Sequence, residues 1–294
     1  MDIIRRIFGR KRIPSPEHAQ TAPLDEHEFI SVLSPESRRH VWVGSAHSMG
    51  LERSQDDDSS LILTGGSNGD KGLPDFGLFC VADGLGGYEH GHLASTIAIR
   101  TVARILMEGV FLRLLEIEPR DEAPPLDELV SNAFESANHA VFELAEGGAT
   151  TLTAALMLDD KIVIGHVGDT RAYFINREKI EVLTHDHSLV QRLVESGTLS
   201  EEEAQESPHR SVLWNAMGKT EDPRVDVSYH AIIPNTYLML CSDGLWDVVE
   251  EEEIIQTVTK TSNPQVACDM LVRTANDAGG PDNVTVILIR FPAA

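Results

Sequence analysis

The chain has 294 residues, 41% of them hydrophobic, which is enough apolar material for one large core or two small ones and excludes disorder over the whole length. With 24 Lys and Arg against 47 Asp and Glu the formal charge is −23. Such a surface repels a polyanionic backbone and argues against nucleic acid as a partner.

Residues 1–40 contain Pro14, Pro16, Pro23 and Pro35 among polar and charged residues, with no sustained period of 2 or 3.6, and read as a flexible leader. Its first twelve residues, MDIIRRIFGRKR, carry five bases and one acid, interleaved with Ile3, Ile4, Ile7 and Phe8. That composition suits either contact with an anionic membrane surface or a solvated tail. It lacks the separate apolar stretch of a signal peptide, and no run approaches the ~20 residues of a membrane span, so a cytoplasmic location is expected. Cys80, Cys241 and Cys268 are too few and too scattered for a disulfide framework or a zinc site, and fit a reducing compartment.

From Val41 the segments alternate in type. The runs at 41–46, 60–64 and 76–82 predict short strands bounded by Gly, Asp and Asn. The Pro-free, Ala/Ile/Leu-rich stretch 92–115 predicts one long helix. Beyond Pro119, Pro124 and Pro125, apolar residues from Leu126 to Ala145, Leu144 among them, recur at spacings of three and four and predict a second helix. Four strand-like runs follow at 150–158, 161–168, 171–176 and 179–184, joined by turns too short for crossover helices, which predicts an antiparallel meander.

Residues 187–218 form a polar, partly helical excursion, with Ser200 as an N-cap and Glu203 three residues on, and read as an insertion or lid. Strands are predicted at 225–232 and 236–242, helices at 251–261 and 263–279, and a closing strand at 282–291. Helix pairs separated by hairpin-connected strands predict an α+β domain over 41–294, with helices covering two packed antiparallel β-sheets.

Carboxylates fall at the ends of these strands. Asp83, Asp169 and Asp243 each follow an apolar run, Asp282 directly precedes one, and Asp56, Asp57 and Asp58 share a loop. An oxygen-only donor set suits Mg²⁺ or Mn²⁺, and no His or Cys cluster competes for zinc. Ordinary turn chemistry accounts equally well for any one Asp beside a Gly. In ADGLGG, Gly84, Gly86 and Gly87 let backbone carbonyls approach an ion closely. The spacing does not fit a dinucleotide-binding loop, and the Lys-Ser/Thr ending of a P-loop is missing.

Taken in order, GLERSQDDDS (50–59), VADGLGG (81–87), ATTLTAA (149–155), GHVGDTRAY (165–173), THDHS (184–188), CSDGLWD (241–247) and GGPDNVT (279–285) resemble the metal-dependent type 2C Ser/Thr protein phosphatases in their compact bacterial form. The resemblance implies an α-β-β-α sandwich with two Mn²⁺ or Mg²⁺ ions at one end and a third, weaker ion beside them. It implies that Asp83 bridges both ions, that Gly84 offers its carbonyl to one, and that Asp243 and Asp282 bind the other. Asp57 and Asp58 match the acidic pair that holds metal-bound waters or the loop, and Asp169 with Asp243 matches the third-ion position. Arg53 matches the arginine that grips phosphate, and 187–218 matches a flap that influences substrate choice.

Three positions depart from the family pattern. Asp57 stands where Glu is usual, His47-Ser48-Met49-Gly50 lacks a loop acid, and Leu85 occupies the place where animal members carry a histidine proposed as general acid. His166, His185 and His187 are assigned no catalytic role, and His166, inside a strand, reads as a core histidine.

The implied activity is hydrolysis of phosphoSer and phosphoThr on proteins by direct attack of a metal-bridging hydroxide, with a Ser/Thr kinase in opposition and a monomeric enzyme. The alternative is a catalytically inactive module that uses the same fold to bind a partner or sense metal. A metal nuclease would share the two-ion chemistry but conflicts with the acidic surface.

Overall fold

The computed structural model describes residues 41–66, 74–85, 90–116, 124–205 and 207–292; the leader, Gly86, Gly87 and Pro119 lie outside the described residues. The first three strands are β1 (Trp42–Ser48), β2 (Asp58–Gly65) and β3 (Phe76–Asp83). β3 is apolar almost throughout because both of its faces are covered. Leu78, Cys80 and Ala82 pack with helices on one side, while Phe79 and Val81 pack against a second sheet on the other.

Helix α1 (Gly91–Leu106) continues through a π-helical turn, Met107–Phe111, into a last α-helical turn, Leu112–Leu114. The uninterrupted α-helix expected over 92–115 is therefore corrected. Within the wide turn, a Cβ on Gly109 would lie 2.8 Å from a Leu129 methyl, and Phe111 stacks on Phe76 with ring centroids 4.6 Å apart. Accommodating these contacts favours one extra residue in the turn. Helix α2 (Leu126–Leu144) packs on α1 through Val130, Ala133, Phe134, Ala137 and Val141; Leu144, expected on that face, is exposed at the helix end.

The remaining strands are β4 (Leu152–Leu158), β5 (Lys161–Val167), β6 (Arg171–Ile175), β7 (Ile180–Val182), β8 (Asp226–Ala231), β9 (Tyr237–Cys241) and β10 (Val284–Arg290). The excursion holds helices α3 (Leu189–Glu195) and α4 (Glu201–Gln205). Ser200 and Glu203 exchange the expected capping bonds, Glu203 N to Ser200 Oγ at 3.2 Å and Ser200 N to Glu203 Oε2 at 2.8 Å. A four-residue helix, α5 (Asp243–Trp246), follows β9, and α6 (Glu251–Lys260) and α7 (Pro264–Asp277) cover the outer face of their sheet.

One sheet has the order β1-β10-β9-β6-β7 and the other β2-β3-β4-β5-β8, with every pairing antiparallel. The single meander expected over 150–184 is corrected here. β5 pairs with β4 and β8, whereas β6 pairs with β7 and β9, so Gly168–Thr170 carries the chain from one sheet to the other. Three residues span about 10 Å, the spacing of packed sheets, so a short link serves a change of sheet as well as a hairpin. Gly168, at φ 109°, makes the turn that a side chain would resist.

Three buried clusters result. One lies between the sheets (Phe79, Val81, Ile162, Ile164, Leu238, Leu240, Ile287), one under α1 and α2, and one under α6 and α7. This is the α-β-β-α layering expected from the sequence. Cys80, Cys241 and Cys268 are buried free thiols within it.

Candidate active site

Antiparallel pairing brings the strand-end acids to one end of the sandwich. Asp58 at the start of β2 stands opposite Asp83 at the end of β3, while Asp169 follows β5, Asp243 follows β9 and Asp282 precedes β10. Arg53, Asp57, Asp83, Gly84, Asp169, Asp243 and Asp282 all line one cleft of about 330 Å³. Asp58 is not among its lining residues. It sits behind Asp83, with Oδ2 accepting from Ser242 Oγ at 2.8 Å and Oδ1 buried without a partner.

The backbone around Asp83 is clamped by the two residues just before β4. Asp83 N donates to Thr151 Oγ1 at 3.0 Å, while Thr150 Oγ1 and Thr151 N donate to Asp83 O, each at 2.8 Å. The Thr-Thr pair thus fixes where the β3 carboxylate emerges. At Gly84 the chain passes so close to its neighbours that a Cβ would lie 2.3 Å from Gly91 O and 2.6 Å from Asp57 O. Gly84 N donates to Asp57 O at 3.1 Å.

Asn283 plays the matching part for the loop after β1. Its amide donates to Met49 O at 2.9 Å and Gln55 O at 3.0 Å, and its Oδ1 accepts from Asp57 N at 2.9 Å. Trp246 Nε1 donates to Asp169 O at 3.1 Å, holding the sheet-crossing turn against α5. None of these supports was singled out from the sequence. Thr150, Thr151 and Asn283 did lie inside the motifs that carry the family resemblance, and that was the available signal.

The electrostatics are unbalanced. Burial, followed by repulsion from Asp243, Asp58 and Asp169, pushes the Asp83 carboxyl well above the usual range, and Asp169 is raised in the same way. Burial likewise pushes Asp58 up to about 7 and Asp243 up to about 6. The Asp83 and Asp243 carboxyls are near enough to share a proton, yet Asp243 Oδ1 is buried with no partner. Against five lining carboxylates the described lining offers two cations, Arg53 and Lys219. Arg53 Nη2 donates to Asp282 Oδ2 at 2.6 Å, which raises the guanidinium pKa further and keeps it charged. Asp57 Oδ1 accepts from His92 N at 3.0 Å and Gln55 Nε2 at 3.0 Å, so part of that carboxylate is committed to the start of α1.

Among the described residues no three His, Cys, Asp or Glu side chains close on one point as a preformed cage. The carboxylates instead share a water-accessible cleft. That donor set, with Asp243 Oδ1 buried and orphaned and mutual repulsion unrelieved by the two cations, fits hard divalent ions that retain several waters.

The histidines stand apart from this cleft. His166 Nε2 donates to His185 O at 3.0 Å and Nδ1 accepts from Thr153 Oγ1 at 2.9 Å; burial, then His187, pushes it down to about 4. It is the neutral core histidine the sequence implied. Leu85 does line the cleft and offers no proton.

The layered α-β-β-α sandwich is the fold of solved bacterial serine/threonine phosphatases. The family model for protein phosphatase 2C matches residues 62–273. The serine/threonine phosphatase Stp of Listeria innocua is 32% identical over 218 residues, which cover 72% of this chain and 83% of that protein. The structure of the serine/threonine phosphatase Stp1 from Staphylococcus aureus superposes with a TM-score of 0.72 at 29% identity, covering 87% of this chain and 97% of that one. The catalytic domain of PstP, solved in complex with two manganese ions, gives 0.67 at 26% identity, covering 86% and 98%. The chain belongs to the protein phosphatase 2C family.

Proposed function

We propose that the chain hydrolyses phosphoserine and phosphothreonine on proteins in a reaction that requires Mn²⁺ or Mg²⁺. The observation that carries this reading is the cleft itself, in which Asp83, Asp169, Asp243 and Asp282 converge from both sheets with Arg53 at the rim. When bound there, hard divalent ions supply positive charge against the phosphoryl oxygens and lower the pKa of a water. Asp83, Asp243, Asp282 and the Gly84 carbonyl hold them in this reading, with Asp57 and Asp58 ordering the surrounding water and loop and Asp169 serving a weaker third position. Arg53, with its planar fork of donors, would capture the phosphoryl group in place of its present partner Asp282. Asp83 and Asp169 enter from clamped backbone positions and so present fixed charge with little reorganisation.

The names of the relatives and the fit of the donor set support this reading. The inactive-module alternative has no observation in its favour, since the strand-end acids Asp83, Asp169, Asp243 and Asp282 are all present in the cleft. The enzyme acts as a cytoplasmic signalling monomer opposing a Ser/Thr kinase in this proposal. No helix among the described residues is long and apolar enough to cross a membrane. The test is turnover of p-nitrophenyl phosphate and a phosphothreonine peptide in EDTA and across a Mn²⁺ titration, with calorimetric metal binding alongside. Metal-dependent turnover and a binding isotherm in the same concentration range are expected; a folded protein that binds no Mn²⁺ would overturn the proposal.

A further inference from the structure

Lys219 is a cation that the chemistry above does not use. It stands just past the excursion, in the segment that returns toward β8, and lines the same cleft as the five carboxylates. Its Nζ donates to Leu213 O at 2.6 Å, which tethers the side chain to the wall formed by Ser211, Val212 and Leu213. It forms no ion pair among the described residues, although carboxylates dominate the cleft. Arg53 belongs to the other wall, where the loop after β1 is pinned by Asp282 and Asn283.

The two cations are therefore carried by different structural elements. Arg53 and the metal-holding acids account for the phosphoryl group. On the other side the cleft is lined by Ser211–Leu213 and Lys219, where Lys219 offers positive charge and Val212, exposed, offers apolar surface to residues flanking a phosphate.

We propose that Lys219 is a specificity-determining residue that pairs with an acidic side chain flanking the phosphoresidue, so that the enzyme favours phosphorylated segments carrying Glu or Asp beside the phosphate. The assignment rests on the phosphatase reading and deepens it. In a chain of net charge −23 the general field disfavours acidic peptides. The effect of Lys219 is thus read as a change in relative preference, not as absolute affinity.

The experiment uses the full chain with saturating Mn²⁺ at low ionic strength. Two phosphothreonine peptides are compared, one with Glu at the two positions on each side of the phosphoresidue and one with Gln at those four. Exposed ion pairs of this kind are worth a factor of about 2 to 5. The Glu-to-Gln ratio of kcat/KM should fall by about that factor in Lys219→Met, fall further in Lys219→Glu, and be retained in Lys219→Arg. The difference between wild type and Lys219→Met should shrink in 0.5 M salt. A ratio that is the same in wild type and Lys219→Met would overturn the assignment while leaving p-nitrophenyl phosphate turnover by the wild type, and with it the phosphatase reading, intact. Wild-type protein that turns over neither peptide nor p-nitrophenyl phosphate would overturn both.

Discussion

Replacing Asp243 by Asn should stabilise the metal-free protein and at the same time remove its response to metal. In the ion-free fold Asp243 carries a charge among Asp83, Asp169 and Asp282, and its Oδ1 is buried without a partner. Its carboxyl is pushed from 3.8 up to about 6 by burial and then by Asp282. At neutral pH that rise corresponds to no more than about 3 kcal/mol of destabilisation, and an orphaned buried polar atom alone costs about 1–3 kcal/mol. Asn keeps the shape, removes the charge and can donate to Asp83. For a domain of this size 1 kcal/mol moves Tm by about 2–4 °C, so in EDTA the variant should melt roughly 3–9 °C above wild type. Mn²⁺ at a hundred times its Kd adds about 2.7 kcal/mol to a protein that binds it, and this gain belongs to the wild type alone. The variant's lead in EDTA therefore narrows by about 2.7 kcal/mol in Mn²⁺, which closes or reverses it over most of that range. Scanning calorimetry of both proteins in both buffers measures this directly. A variant that melts below wild type in EDTA, or that gains as much from Mn²⁺, would refute the reasoning and return Asp243 to an ordinary helix-start residue.

Arg53→Ala should lower kcat/KM on a phosphopeptide roughly 10- to 150-fold, the worth of a charge-assisted hydrogen bond, while calorimetric Mn²⁺ affinity stays the same or improves because Asp282 loses a competing partner. Gly84→Ala places a Cβ 2.3 Å from Gly91 O and 2.6 Å from Asp57 O, both backbone atoms that cannot swing aside. A loss of about 1–3 kcal/mol by denaturant titration is expected, with weakened Mn²⁺ binding. In EDTA, stability should rise as pH falls from 8 to 6.5. Asp58, Asp83 and Asp169 have folded-state pKa values above their unfolded ones, so the folded state takes up protons there and stability is lost as pH rises through that window. His166 and His187, lowered by burial, oppose this only below about 6.5. A melting temperature that climbs from pH 6.5 to 8 in EDTA would contradict the proposed crowding of charge.

What the sequence made legible follows from which interactions are local. Periodicity is a property of neighbouring residues, so α2, α6, α7 and most strands could be read from it, and the Ser200–Glu203 capping box could be read from two residues three apart. The π turn in α1 could not, because its cause is the approach of Leu129 and the stacking of Phe76 on Phe111, contacts made across the fold. The change of sheet at Gly168–Thr170 was hidden for a similar reason, since a three-residue link looks alike whether it closes a hairpin or crosses between layers.

The acids of the site were legible as a set because antiparallel strands return chemistry to the same end of a sandwich, and an Asp at a strand end marks which end that is. Their supports were not. Thr150 and Thr151 act on Asp83 from 67 or more residues away, and Asn283 holds Asp57 across 226. These distant clamps also explain how the fold retains like charges at close quarters. Asp58 and Asp83 stand directly opposite one another in the β2–β3 register, an arrangement that repels and would separate the strands if either backbone were free to move. With Asp83 clamped by Thr150 and Thr151, and with Ser242 bonded to Asp58 and to Thr285 N of β10, the repulsion cannot relax by displacement. It relaxes instead by taking up protons or cations. The local instability is thus the counterpart of metal affinity, and a substitution that removes one should remove the other.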